Sequence, residues 1–292
     1  MPALNMLMRE HLARGWREDL SPNWRRVFRD IEPSIDGLPD WDVPTIFPRR
    51  LDPGFRVNPE AEVPGRHMLR AFDGIAPSAV RVVILGQDPY PRQDSATGRA
   101  FEDGAWDEEE PEEVATSLRR LLQSAAALKR PDLGIAEQED DWGRVCQAIR
   151  DGELLPPSAP GFFDSLTGQN VLCINAAWTF TGSSRAHLGV NIRVWRPVVN
   201  HLILKLIRHA DWGPTVFLLL GRQARNRFRA ATWRYLRAYP ARAFETVYCA
   251  HPAAWTGRTY FEYENPLTSV NQALLRLRAD PIQWWPPLIP AD

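Results

Sequence analysis

Four short apolar runs in this chain are each followed at once by residues with chemistry in their side chains or backbone. Gly86-Gln87-Asp88-Pro89-Tyr90-Pro91 closes the first, Asn175-Ala176-Ala177 the second, Gly221-Arg222-Gln223 the third and His251-Pro252-Ala253-Ala254-Trp255 the fourth. Two prolines and a glycine make the turn around Asp88 rigid, so its carboxylate cannot easily swing away. Asn175 offers one amide donor and one acceptor, and His251 offers a ring nitrogen. Taken singly, a strand-end Asp or Asn is usually a turn or cap residue, and a lone His is more often structural. Four such strand ends in succession point to one shared site.

The elements that must carry these residues can be read from periodicity. Residues 82–86, 171–175, 215–221 and 246–250 are continuous β-branched or apolar stretches, as expected for parallel strands covered on both faces. Between them, Trp195, Val198, Val199, Leu202, Ile203, Leu206 and Ile207 recur at helical spacing and form one apolar stripe. Leu118, Leu121, Leu122 and Ala125 make a shorter stripe, with Ser117 placed as a possible cap. Alternating strands and helices predict an α/β fold, a three-layer α/β/α sandwich around a central four-stranded parallel sheet. Ligands of such sheets bind at the carboxyl ends of the strands, where the residues above lie. Residues 1–64 read as an N-terminal extension packing on the core, and 65–292 as the domain that carries the four strands. The acidic 103–113 stretch reads as a solvated loop, and the Pro-, Gly- and Asp-rich 131–163 stretch as an excursion from the fold.

Composition narrows the class. No apolar run reaches the ~18–20 residues that span a bilayer, and Arg9, Glu10 and Arg14 interrupt the only apolar stretch near the N-terminus. A soluble, cytoplasmic protein is expected. Cys146, Cys173 and Cys249 are too few and scattered for a metal motif and read as buried free thiols. Net charge is −1, which by itself argues against a nucleic-acid binder. The distribution argues otherwise: residues 185–292 carry 15 Lys and Arg against 6 Asp and Glu, and residues 1–184 carry 20 against 30. That split suits one face meeting phosphate. Since Lys occurs only at 129 and 205, an arginine-favouring nucleotide bias would give a similar count without any binding demand.

The motifs also resemble a known family. Residues 82–90, Val-Val-Ile-Leu-Gly-Gln-Asp-Pro-Tyr, are similar to the water-activating motif of family 1 uracil-DNA glycosylases, and Phe101 stands 13 positions beyond Asp88, at that family's spacing for the aromatic that stacks on the base. Residues 171–176 resemble the strand ending in the uracil-reading Asn; 216–221 with Ala224 resemble a third segment, and His251-Pro252 the opening of the leucine loop. Residues 259–265 and 281–284 resemble the C-terminal stretch, so the likeness spans roughly 65–286, with Trp24, Phe28 and Ile46-Phe47-Pro48 fitting more weakly.

The resemblance implies an enzyme that flips uracil out of DNA and hydrolyses its N-glycosidic bond, leaving an abasic site. Asp88 and His251 would be catalytic: Asp88 stabilises the sugar cation and orients a water, and a neutral His251 donates to the base O2. Gln87, Tyr90, Phe101 and Asn175 would bind the base, with Tyr90 excluding the thymine methyl. Ser117, Gly221, Arg222, Pro252, Ala253 and Trp255 would contact DNA. The implied partner is DNA, in duplex or single strand, with the protein a monomer, no membrane association, no metal and no cofactor. Strand scission is not expected, because no Lys near the motifs is an evident Schiff-base former.

Three departures bear on this. Pro91 stands where the family has His, Ala253 where it has Ser, and Trp255 where it has the inserted Leu. An indole at 255 could plug the gap left by the flipped nucleotide, contributing ~1–3 kcal/mol by stacking. Altered residues 92–94 leave room for another substrate, a modified pyrimidine such as a substituted cytosine in phage DNA. A catalytically inactive DNA-binding module is a further alternative. A nucleotide-binding oxidoreductase lacks its Gly-x-Gly-x-x-Gly turn here.

Overall fold

The computed structural model describes residues 12, 15–36, 38, 67–92, 95–106, 113–135, 141–154, 158–208, 212–238, 244–254 and 259–285. Four strands, β1 (Val82–Gly86), β2 (Val171–Asn175), β3 (Thr215–Leu220) and β4 (Phe244–Cys249), form one parallel sheet in the order β2-β1-β3-β4. Every residue of β1, β2 and β3 is buried, which is why these runs show no polar alternation.

Helices cover both faces. On one side lie α2 (Thr116–Lys129), α3 (Trp142–Arg150), α4 (Ala159–Gly168) and α7 (Pro266–Arg276), packed against Val82, Ile84, Cys173 and Leu218. On the other lie α5 (Arg185–Arg208) and α6 (Gly221–Ala238), packed against Val83, Leu85, Leu172 and Phe217. Successive strand residues thus feed opposite cores, as the two-residue strand period requires. The arrangement is the expected three-layer α/β/α sandwich. The short helix α1 (Pro22–Val27) brings Trp24 and Phe28 into the second core, where Trp24 donates to the Ile75 carbonyl at 2.8 Å. The 64/65 boundary lies outside the described residues.

Some expectations need correction. The 131–163 stretch is not an excursion: α3 and α4 bury Val145, Cys146, Phe162, Phe163 and Leu166 in the first core. Trp106 and Val114 are core residues at the two ends of the acidic loop, whose 107–112 portion lies outside the described residues. β3 stops at Leu220 and Gly221 opens α6, while β4 runs two residues earlier at its start than the apolar pattern suggests. The three cysteines are buried. No helix among the described residues is long and apolar enough to cross a membrane.

Candidate active site

The carboxyl ends of the strands surround a cavity of about 260 Å³, at the small end of ligand pockets. Its wall includes Gln87, Asp88, Tyr90, Phe101, Asn175 and His251. Residues drawn from four separate stretches of sequence thus share one space, and Ser117 borders it as well.

Two backbone hydrogen bonds continue the β1–β2 ladder beyond the strands. Ala176 N–H donates to the Gly86 carbonyl at 3.0 Å, and Ala177 N–H to the Gln87 carbonyl at 2.9 Å. The turn carrying Asp88 is therefore locked in register with the one carrying Asn175. Gly86 makes the approach possible: a Cβ there would lie 2.4 Å from Asn175 Oδ1 and 3.0 Å from the Phe101 ring. The local sequence marked this glycine only as part of a turn. Its partners come from β2 and from the 95–103 loop.

Asp88 accepts a hydrogen bond from the Gln87 side-chain amide at 3.1 Å. Burial pushes its carboxyl up to about 6, against the partial opposition of that bond. The group is still ionised at neutral pH, held as a poorly solvated carboxylate at the cavity wall.

Phe101 has φ 69°, a left-handed conformation that a bulky residue adopts only when its surroundings enforce it. Several contacts do so. Ala100 N–H donates to the Cys173 carbonyl at 3.1 Å, Tyr90 hydroxyl donates to the Phe101 carbonyl at 3.2 Å, and Ala96 bridges Asp103. Beneath the loop, buried Glu102 lies 3.3 Å from Arg70 and accepts from the Thr97 hydroxyl at 2.8 Å, while Arg99 pairs with Asp164 at 2.7 Å. Burial raises the Glu102 carboxyl despite both arginines. None of this network was foreseen from sequence, since Arg70 and Asp164 are far from the loop along the chain. The Phe101 ring lies 6.0 Å from that of His251.

His251 is oriented by its own turn. The Ala253 N–H donates to Nδ1 at 3.1 Å, so in the neutral ring the proton sits on Nε2. Burial, and secondarily the Arg120 guanidinium, push the imidazole down to about 4. The ring is therefore neutral at working pH and a donor through Nε2. Gly221, at φ +90°, lets the backbone pass close: a Cβ there would lie 2.8 Å from His251 Cβ. Arg120, on α2, donates to the Pro252 carbonyl and to the Ala254 carbonyl at 3.3 Å, clamping the turn. Sequence reading missed Arg120, whose partners are 132 and 134 residues away.

Of the expected DNA-contacting residues, Ser117 borders the cavity and Gly221 abuts His251. Ser117 does not cap α2; Ala115 occupies that position and Ser117 is a buried residue of the first turn. Arg222 is exposed on α6, Pro252 is buried and Ala253 half-buried. Trp255 lies outside the described residues. Among the described residues no cluster of three or more His, Cys, Asp or Glu is placed to hold a metal ion.

Chemically, the site lines one cavity with an anion, a neutral donor, an aromatic ring and a side-chain amide. That suits a planar polar group whose bond breaks with cation developing near Asp88 and anion near His251. Comparison with known proteins bears on the family of the chain. The sequence model of the Uracil DNA glycosylase superfamily matches residues 72–275. A protein named uracil-DNA glycosylase from Corynebacterium efficiens is 28% identical over 274 residues, covering 92% of this chain and 93% of its own. One named uracil-DNA glycosylase 1 from Streptomyces coelicolor is 30% identical over 221 residues, covering 75% and 79%. The crystal structure of wild-type UNG from Nitratifractor salsuginis overlaps 68% of this chain and 74% of its own, at 26% identity and a TM-score of 0.49. With the family model spanning the strands that carry Asp88, Asn175 and Gly221, the chain belongs to the uracil DNA glycosylase superfamily.

Proposed function

We propose that this chain is a monofunctional DNA glycosylase that extrudes uracil from DNA and hydrolyses its N-glycosidic bond, leaving an abasic site for base excision repair. The observation that carries the reading is the convergence of Asp88, Asn175, Phe101 and a neutral His251 on one small cavity. Phe101 stacks on the extruded base. The Asn175 amide pairs with uracil O4 and N3–H, one donor and one acceptor. Tyr90 occupies the C5 edge, so a methyl there collides.

As the glycosidic bond lengthens, the sugar becomes oxocarbenium-like and the base gains negative charge. The Asp88 carboxylate stabilises the cation and directs a water to the sugar carbon. His251 donates through Nε2 to the base O2, an interaction that strengthens as charge develops and contributes typically ~3–4 kcal/mol to the transition state. Because the ring is already neutral and oriented by Ala253 N–H, little reorganisation accompanies the reaction. Ser117, Gly221, Arg222, Pro252, Ala253 and Trp255 would hold the DNA around this point. One chain supplies all these groups, so the reading requires only a monomer.

The test is base release from synthetic DNAs containing uracil, thymine or modified cytosines, with Asp88→Asn and His251→Ala as controls. Release of uracil alone, lost in both controls and without strand cleavage, is expected. Failure to release uracil, with release of a modified base, would overturn the substrate assignment; no release of any base would overturn the activity.

A further inference from the structure

Helix α6 leaves the rim at Gly221 and carries six arginines and no acidic residue. Arg222, Arg225, Arg229, Trp233 and Arg237 recur at helical spacing, and all five are exposed, Trp233 by 51%. On a 3.6-residue helix these positions fall on one stripe, about 22 Å long from first to last. An exposed indole inside a row of guanidinium groups is unusual for a merely solvated face. One stripe arginine is braced by an aromatic ring, Arg225 lying 4.6 Å over that of Tyr248, while Trp233 itself takes Arg234, next to the stripe, 5.4 Å over its ring. Stacking holds a guanidinium in place while its N–H edges remain available to an anion. Positive charge is also crowded on the neighbouring flank. Burial and nearby Arg196 both lower the proton affinity of Arg227, whose Nε is buried without a hydrogen-bond partner among the described residues.

We propose that this stripe is a second DNA-binding surface, which grips the phosphate backbone of the duplex arm leaving the active-site rim. The proposal rests on the glycosylase reading for its occupant. Two observations select DNA: charge complementarity, and continuity with the site, since the first residue of α6 abuts His251. The phosphates beside a flipped nucleotide would thus meet Arg222 first and Arg225 and Arg229 next, with Trp233 packing on a sugar or an unpaired base. Such a track adds affinity without sequence preference, because phosphate contacts position and do not specify.

The test uses the full chain carrying Arg229→Gln, Trp233→Ala and Arg237→Gln together. Affinity for an undamaged duplex of roughly three turns is measured against salt concentration, and uracil release from an oligonucleotide too short to reach beyond the rim is measured in parallel. The expected result is a logarithmic salt slope shallower by ~1.8 for two lost phosphate contacts, with long-duplex affinity reduced about tenfold or more and short-substrate release unchanged. An Arg229→Lys, Arg237→Lys variant should restore the slope. Unchanged slope and long-duplex affinity in the triple variant would overturn the proposal, as would a tenfold loss that the Lys variant shares, which would report altered folding. Absence of uracil release by the unmodified protein would instead sink the glycosylase reading while the salt slope still reports on the stripe.

Discussion

Replacing Gly86 by Ala tests whether the site depends on the close approach of β1, Asn175 and Phe101. The new Cβ would stand 2.4 Å from Asn175 Oδ1, where ordinary contact begins near 3.4 Å, so the amide must retreat by about 1 Å. The Phe101 ring, 3.0 Å away, must yield by a few tenths. Gly86 has no positive φ, so alanine is permitted by the backbone and the strain falls on these two side chains. A displacement of ~1 Å in a positioned group lowers rate by about 10²-fold, or ~2.7 kcal/mol of barrier. Single-turnover uracil release from a single-stranded oligonucleotide reads the loss, and thermal unfolding reads the overpacking, which should destabilise by ~1–3 kcal/mol. Gly189→Ala is the matched control. It lies within α5 with nothing within 4 Å of its would-be Cβ, and it should leave turnover intact while adding ~0.5–1 kcal/mol of stability. Turnover by Gly86→Ala within about threefold of the parent, under ~0.7 kcal/mol, would refute the reasoning that this glycine sets the pocket.

Asp88→Asn should abolish uracil release yet stabilise the fold. The Asp88 carboxyl rises from 3.8 to about 6 on folding, so it favours folding fully below 3.8 and loses that contribution as pH rises through 6. The Asn variant should therefore gain up to ~3 kcal/mol over the parent at pH 8 and little at pH 4, and equal unfolding midpoints at pH 8 would contradict the burial argument. The same ionisation predicts an acid limb near pH 6 in the parent's rate, with no limb from His251, which titrates at about 4. Arg120→Gln removes the clamp on the Pro252 and Ala254 carbonyls and one cause of the low His251 value. Rate should fall and the His251 titration, followed by NMR, should move upward while staying below 6.5, since burial is the larger cause. Tyr90→Ala should open the C5 edge and lose the bond to the Phe101 carbonyl; detectable thymine release with slower uracil release is expected, and strict uracil specificity would show that another group excludes the methyl.

How much of this was legible in the sequence depended on the range of the forces involved. The ends of β1 and β2 coincide with the apolar runs because both strands are central or fully covered, and Gly86 and Asn175 punctuate them locally. The placement of Asp88, Asn175 and His251 on one rim follows from strand polarity in a parallel sheet, which the alternation of elements already implies. The start of β4 does not follow, because its exposure is mixed and its limits are set by pairing with Thr215–Leu220. Nor does the burial of α3 and α4, because the Pro, Gly and Asp content of the 131–163 stretch suggests loop until the helices' apolar faces meet the sheet. Arg120, Glu102 and the true role of Gly86 were invisible for the same reason. Each acts through atoms brought near only by the fold: two carbonyls beyond His251, an arginine from residue 70, an amide from the next strand. Sequence alone named the candidate groups; tertiary structure decided how they are held, because hydrogen-bond geometry and desolvation depend on neighbours that local pattern does not specify.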